Sequence, residues 1–187
     1  MIAYFFCHWK KAAVSAADYE ARQKAFHAAL EASPPSGFLR SFSVGLAGAP
    51  WAAAGAETYE DWYLVESFAS LAALNDAAVK GARSGPHDAA AAAADGGAGG
   101  VYLLRQGTAL PAPRHAHWFG KPAGMTYAEL LAQVGPLVDD AGGALWMRQM
   151  TLGPAREFCV HAREPLALPS SFDVIRLPLR QVWPASP

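Results

Sequence analysis

The chain has 187 residues, of which 52% are hydrophobic and 17% charged, so it can bury a sizeable core and lacks the composition of a disordered protein. A net charge of −1 argues against a nucleic-acid partner, because nucleic-acid binding needs a basic surface. Two cysteines are too few for a disulfide framework, and no apolar stretch has the length that a membrane span requires. These features predict a cytoplasmic protein with no membrane partner.

The first elements of the chain follow a strand–helix–strand order. The segment FFCHWKKA is predicted to be a strand that is apolar on both faces. A helix is predicted in SAADYEARQKAFHAALEAS, where Tyr19, Phe26 and Leu30 have helical spacing and Ser15 and Asp18 form a capping pair. Strands FLRSFSVGLAG and YEDWYLVES, helix SFASLAALNDAAV and strand VYLLRQG complete a βαββαβ pattern.

A low-complexity stretch, AAAAAADGGAGG, precedes the last of these strands. We expect its alanines to extend a helix and its glycines to end that helix. His87 and Asp88 come just before it and are expected to cap this helix, with a loop at the mouth of a cleft as the alternative.

The rest of the chain repeats the same order of elements. HAHWFGKPA shares with the first strand a His-Trp pair followed by Lys and Ala, and TYAELLAQVGPLVDDAG carries a second capping box at Thr126 and Glu129. Strands LWMRQMTLGPA, EFCVHARE and VIRLPLRQVW follow, and Arg40 aligns with Arg148. The segment EPLALPSS is too short and Pro-rich for the second helix. Five matching elements in order predict an internal duplication.

The predicted fold class is α+β, with two tandem ferredoxin-like (split βαβ) halves. They span residues 1–107 and 114–184, the second half is degenerate, and GTALPAPR links them. Because the strands are apolar on both faces, each sheet needs cover on the side away from its helices. We therefore expect a pseudo-dimeric α+β barrel that closes within one chain and leaves other surfaces for any further dimer.

This arrangement resembles the dimeric α+β barrel superfamily, which includes the antibiotic-biosynthesis monooxygenase, stress-responsive and EthD-like families. In YEARQKAFHAAL, Tyr19 and His27 match an aromatic residue and a histidine of the EthD-like first helix, whereas Gln23 and Ala29 replace the usual Trp and Pro. DWYLVESFASLAALNDAAV is similar to the third strand and second helix of the superfamily. The resemblance implies a small-molecule ligand and a cofactor-free monooxygenase or isomerase that acts on a small aromatic or enolisable substrate.

His27 and Arg40 are the first candidate site residues. His27 borders the apolar stripe of the first helix, where it would accept a proton from, or hydrogen-bond, a carbonyl or phenolic ligand. The alternative is a half-exposed surface histidine. Arg40 lies on an apolar strand face and must pair with a carboxylate or meet an anionic ligand. Its candidate protein partners are Glu60, Asp61 and Glu66.

Three further residues are candidates for lining a ligand cavity. Trp62 and Trp9 belong either to the core or to a cavity wall. His8 recurs as His117, which favours a structural role; the alternatives are a cavity-lining group or a haem ligand, as some superfamily members use. The second half has Val138 or Gly135 in place of His27, so any histidine site is expected in the first half alone.

The sequence contains no P-loop, dinucleotide fingerprint, nucleophile elbow or metal-binding helix motif. We therefore predict no cofactor, with haem as an alternative. A non-catalytic ligand-binding or stress-associated module is the alternative to an enzyme.

Overall fold

The computed structural model describes residues 1–184, which form nine strands and four α-helices. The strands are β1 (Ile2–Lys10), β2 (Phe38–Leu46), β3 (Thr58–Val65), β4 (Ala94–Gly107), β5 (His115–Phe119), β6 (Ala144–Gln149), β7 (Phe158–Ala162), β8 (Ile175–Pro178) and β9 (Arg180–Trp183). The helices are α1 (Ala16–Ala32), α2 (Phe68–Ala78), α3 (Ser84–Ala93) and α4 (Tyr127–Asp140). None of these helices is long and apolar enough to span a bilayer.

The strands form one antiparallel sheet in the order β8-β5-β7-β6-β4-β1-β3-β2-β9. Its two edge strands, β8 and β9, are consecutive in the chain and separated only by Leu179. Because β8 pairs with β5 while β9 pairs with β2, this one bent segment draws the two edges of the sheet together. The chain is therefore an α+β protein with a nearly closed antiparallel barrel.

Alternate residues of the strands face opposite sides of the barrel wall, as strand geometry requires. In β1, Ala3, Phe5 and Cys7 belong to the interior cluster, whereas Ile2 belongs to a cluster with helix residues outside the wall. The interior cluster is mainly aromatic and aliphatic, and it includes Phe42, Trp62, Leu64, Tyr102, Trp118, Trp146, Cys159 and Leu177. Both faces of the wall are buried, as the sequence predicted.

The predicted starts of α1 and α4 are confirmed. The side chain of Ser15 accepts a hydrogen bond from the amide of Asp18 and caps α1. Thr126 and Glu129 form a reciprocal capping box at α4. In place of a helix between β7 and β8 there is only a 3-10 turn, Ser170–Phe172, in agreement with the short Pro-rich sequence.

The glycine-rich segment differs from its prediction because it is a strand. Helix α3 ends at Ala93, and β4 begins at once with Ala94, so the strand starts seven residues before VYLLRQG. Glycine is needed here, because a Cβ on Gly97 would lie 2.6 Å from the ring of Phe6. The predicted cap is also wrong: α3 begins at Ser84, before His87 and Asp88, and no side chain caps it.

Strand β6 is shorter than predicted. It ends at Gln149, and Met150 has a φ of 62°, which turns the chain out of the sheet. Met150 and Leu152 are 89% and 95% exposed, so the predicted strand LWMRQMTLGPA is wrong beyond Gln149.

Candidate active site

A cleft of about 910 Å³ lies between the outer face of the barrel wall and helices α1, α2 and α3. This volume is within the range of roughly 300–1,000 Å³ that is typical of small-molecule sites. Aromatic side chains from the wall and the helices contribute much of its lining: Tyr4, Phe6, Tyr19, Phe26, Tyr63 and Phe68.

Glycines in β4 make room for the rings of β1 beneath this cleft. Phe6 lies over Gly97 and Tyr4 over Gly99, at distances that exclude a Cβ on either glycine. The Phe6 ring is nearly parallel to the Tyr4 ring, at 6.3 Å and 11°, and to the His8 ring, at 5.0 Å and 22°. Part of the cleft floor is thus a row of stacked rings.

Asp61 of β3 lies at this floor and is 1% exposed. Its Oδ2 is 3.2 Å from Nε2 of His8, and its Oδ1 is 3.3 Å from Nε2 of His27. Both Nε2 atoms lie close to the carboxylate, although neither contact has the alignment of a hydrogen bond. The Tyr63 hydroxyl donates a hydrogen bond of 2.9 Å to Oδ2.

The surroundings of Asp61 favour its ionised form. Burial opposes the charge, but His8 and His27 outweigh burial and hold the pKa of Asp61 well below its usual range. Burial and the neighbouring carboxylate together raise the pKa values of Tyr19 and Tyr63. Both phenols therefore remain protonated at neutral pH, facing a buried carboxylate.

The other ring nitrogen of each histidine forms a hydrogen bond with a hydroxyl group. Nδ1 of His8 is 2.6 Å from the hydroxyl of Tyr19, and Nδ1 of His27 is 2.7 Å from that of Ser41. Helix α1 supplies Tyr19 and His27, while three neighbouring strands supply the rest, because β3 lies between β1 and β2. The result is a continuous buried network with Asp61 at its centre.

The structure brings two of the sequence-predicted site residues together and places three elsewhere. His27 and His8 meet at Asp61, and because His27 is fully buried, the alternative of a half-exposed surface histidine is wrong. Trp62 lies in the barrel interior, and the half-buried Trp9 packs against Gly96.

Arg40 lies apart from the cleft, beside a smaller pocket of about 240 Å³. Its guanidinium donates to the carbonyl of Ala109. Within residues 1–184 it forms no ion pair with Glu60, Asp61 or Glu66, so the predicted pairing is wrong. Asp61 instead pairs with the two histidines.

The central role of Asp61 and the contribution of Tyr19 were not predicted. A signal was present, because Asp61 shares a strand face with Tyr63 and is, with Glu60, one of only two charged residues in β3. A carboxylate in such a strand requires a buried partner.

Residues 114–184, the predicted second half, contain no equivalent network. Nδ1 of His117 is 3.4 Å from the Val160 carbonyl, and its Nε2 accepts a hydrogen bond from the amide of Leu166. When His117 is aligned with His8, the residue of β7 at the position of Asp61 in β3 is Ala162. An apolar cluster that includes Val134 and Val138 of α4 packs against this part of the wall.

The histidines predicted as alternative haem ligands do not fit that role. An axial ligand must turn a free imidazole nitrogen towards the cavity. His8 and His27 turn both nitrogens to Asp61 and to a hydroxyl, and His117 uses both on the backbone. No group of three or more His, Cys, Asp or Glu side chains within residues 1–184 is arranged to hold a metal ion.

Comparison of the sequence with family models and with curated proteins finds no match. Solved structures do match. A candidate monooxygenase from Lactobacillus acidophilus gives a TM-score of 0.58 at 7% identity, over 97% of this chain and 94% of its own. The fold is that of an α+β barrel.

Two further solved structures match the chain with lower TM-scores. An anthrone oxidase-like protein gives a TM-score of 0.50 at 8% identity, over 87% of this chain and 73% of its own. A candidate chlorite dismutase gives a TM-score of 0.49 at 10% identity, over 97% of this chain and 95% of its own. At these identities the likeness is one of fold alone.

Proposed function

We propose that this chain binds a small aromatic or enolisable molecule in the cleft and removes a proton from it, in a cofactor-free oxygenation or isomerisation. The observation that carries the proposal is the buried carboxylate of Asp61, held between His8 and His27 at the floor of an aromatic cleft of about 910 Å³. Titratable groups with strongly perturbed pKa values that converge on one cavity are typical of catalytic sites.

The network supplies what an enolisation needs. An imidazole accepts a proton on a ring nitrogen, and the ionised carboxylate beside it balances the resulting positive charge. The aromatic side chains that line the cleft suit an aromatic ligand. The enolate left behind is electron-rich: it is oxidised by O₂ or reprotonated at another carbon, which gives oxygenation or isomerisation respectively.

The proposal assigns direct and indirect roles within the network. His27 acts through Asp61, since its two nitrogens face Asp61 and Ser41. Arg40 and Trp62 lie outside the cleft, so the proposal gives neither a contact with the ligand.

We also propose that residues 1–107 and 114–184 are duplicated ferredoxin-like halves of an EthD-like or antibiotic-biosynthesis-monooxygenase-like protein. The strand orders β4-β1-β3-β2 and β8-β5-β7-β6 support this, because each places the first and third strands of its segment in the middle. The barrel would then need one chain only, and any dimer would use other surfaces. Light scattering tests this: a monomer that retains ligand binding is expected, and binding confined to a dimer would contradict it.

Anthrone is a suitable first substrate, because it is enolisable and one structural neighbour is an anthrone oxidase-like protein. Oxidation of anthrone by O₂ gives anthraquinone and water, C₁₄H₁₀O + O₂ → C₁₄H₈O₂ + H₂O. We expect purified protein in chelator-treated buffer to consume O₂ and form anthraquinone. Asp61→Asn should lower the rate by about 10²-fold or more, the contribution of one general acid–base group.

The outcomes separate the candidate functions. Anthrone binding without turnover, with wild type and Asp61→Asn alike, would favour a non-catalytic ligand-binding module. Absence of binding to any of a series of phenols and aromatic ketones would contradict the proposal itself.

A further inference from the structure

Two histidines touch Asp61, but only one is connected to a hydroxyl on the cleft wall. Tyr19 lines the cleft, and its hydroxyl is 2.6 Å from Nδ1 of His8. Nε2 of His8 is in turn 3.2 Å from Asp61. We propose that Tyr19 is the catalytic residue that takes the proton from the ligand and passes its own to His8. This inference rests on the proposed function and names its proton path.

His27 is the weaker candidate for this role. It is not among the side chains that line the cleft, and its Nδ1 faces Ser41, which does not line it either. The sequence resemblance pointed to His27, whereas the geometry points to His8. His27 is then a positioning residue that holds the second oxygen of Asp61.

The protonation pattern follows from the neighbours of His8. An ionised Asp61 at Nε2 favours the tautomer with its proton on that nitrogen, which leaves a lone pair on Nδ1. The Tyr19 hydroxyl therefore donates to Nδ1 in the resting state. The raised pKa of Tyr19 agrees with this, because a phenol that stays protonated must give up its own proton when it receives another.

The proposed step is a double proton transfer. The C–H or O–H bond of the ligand breaks, its electron pair stays on the ligand as an enolate or phenolate, and the proton bonds to Oη of Tyr19. At the same time the Tyr19 proton moves to Nδ1 of His8, and the imidazolium is balanced by Asp61. The Tyr19 hydroxyl then donates a hydrogen bond to the new oxyanion, which such sites use to stabilise charge.

Packing holds the two rings in place for this transfer. The ring of Tyr59 lies 5.0 Å from that of Tyr19 and stacks on His8 at 5.8 Å and 14°. Phe6 stacks on the opposite side of the network at 5.0 Å from His8. A relay depends on such fixed geometry, because hydrogen bonds weaken steeply with misalignment.

The test uses 4-nitrophenol, whose neutral and ionised forms absorb differently, and follows the ionisation of the bound probe with pH. In wild type we expect the bound phenol to ionise at a lower pH than in free solution. Tyr19→Phe should raise this midpoint by about one pH unit or more, the size of one lost hydrogen bond to a charged group. His8→Asn should raise it similarly and, combined with Tyr19→Phe, should add little.

Tyr102→Phe is the matched control, because Tyr102 is as buried as Tyr19 but lies in the barrel interior and donates its hydroxyl to the carbonyl of Arg156, at 2.8 Å. It should leave the midpoint at the wild-type value. If the probe binds and Tyr19→Phe leaves its midpoint unchanged, or Tyr102→Phe shifts it equally, the relay is wrong while the proposed function stands. If wild type does not bind the probe and does not oxidise anthrone, the proposed function fails with it. A melting curve for each variant confirms that the folded protein is compared.

Discussion

Glu60 and Asp61 are adjacent in β3 but face opposite sides of the barrel wall, and their pKa values move in opposite directions. Asp61 meets two histidines outside the wall, and its pKa falls well below the usual range. Glu60 faces the interior, where its nearest polar contact is Nε1 of Trp62 at 3.4 Å, and burial raises its pKa to about 8. One strand thus carries a charged carboxylate for the cleft and a neutral one for the core.

Glu60→Gln should stabilise the protein more as the pH rises. The pKa of Glu60 is about 8 in the folded protein, against an ordinary value of 4.5, so the protonated side chain favours the folded state. This contribution to the free energy of unfolding is fully present below pH 4.5 and is lost as the pH rises through 8. Gln keeps the shape and stays uncharged. The gain in the free energy of unfolding should grow by about 1.4 kcal/mol for each pH unit across this interval. Chemical denaturation of both proteins at several pH values measures it, and a pH-independent difference would contradict the assignment.

Arg40→Ala and Arg148→Ala should have the same effect, because the two arginines make equivalent contacts. Each guanidinium donates to the carbonyl of an interior alanine, Ala109 or Ala155. Loss of such a bond should cost about 1–3 kcal/mol of stability. Neither side chain lines the cleft, so ligand affinity should not change. A loss of affinity in Arg40→Ala alone, measured by calorimetry beside the melting temperatures, would restore Arg40 as an anion clamp.

Gly97→Ala should deform the floor of the cleft. The added Cβ would lie 2.6 Å from the ring of Phe6 and 2.8 Å from the backbone oxygen of Cys7, so the ring must move towards the ligand. We expect a stability loss of about 1–3 kcal/mol and weaker ligand binding.

Gly85→Ala is the control for this change, because no atom lies within 4 Å of its Cβ position. It lies in α3, where Ala is the better helix former, so stability should be equal or slightly higher. Unchanged ligand affinity in folded Gly97→Ala would show that the position of the Phe6 ring does not affect binding.

Alternating apolar residues and capping pairs were sufficient to predict most of the strands, α1, α2, α4 and the barrel architecture. The start of β4 was not predictable in this way, because glycine disfavours strands unless something requires a close approach. The rings of Trp9, Phe6 and Tyr4, which belong to another strand, supply that requirement.

Only part of the candidate site was predictable, because its contacts also join residues from different elements. A helical resemblance pointed to His27, and duplication of the strand argued for a structural role of His8. The contact of His27 with Asp61 depends on how α1 is rotated over the wall, and the contact of His8 with Asp61 depends on the register between β1 and β3. Short-range sequence patterns define neither. Residues eight apart on a helix, such as Tyr19 and His27, contact different strand residues.

The most direct test of the central claim is whether a bulky residue in the cleft lowers the affinity for a ligand. Ala72 of α2 lines the cleft, whereas Asp76 of the same helix does not, so Ala72→Trp and Asp76→Trp form a matched pair. The measurement is the affinity for 1-naphthol by titration calorimetry. We predict that wild type and Asp76→Trp bind it equally and that Ala72→Trp loses at least tenfold, about 1.4 kcal/mol. Equal affinity in all three proteins would contradict a binding site over Asp61.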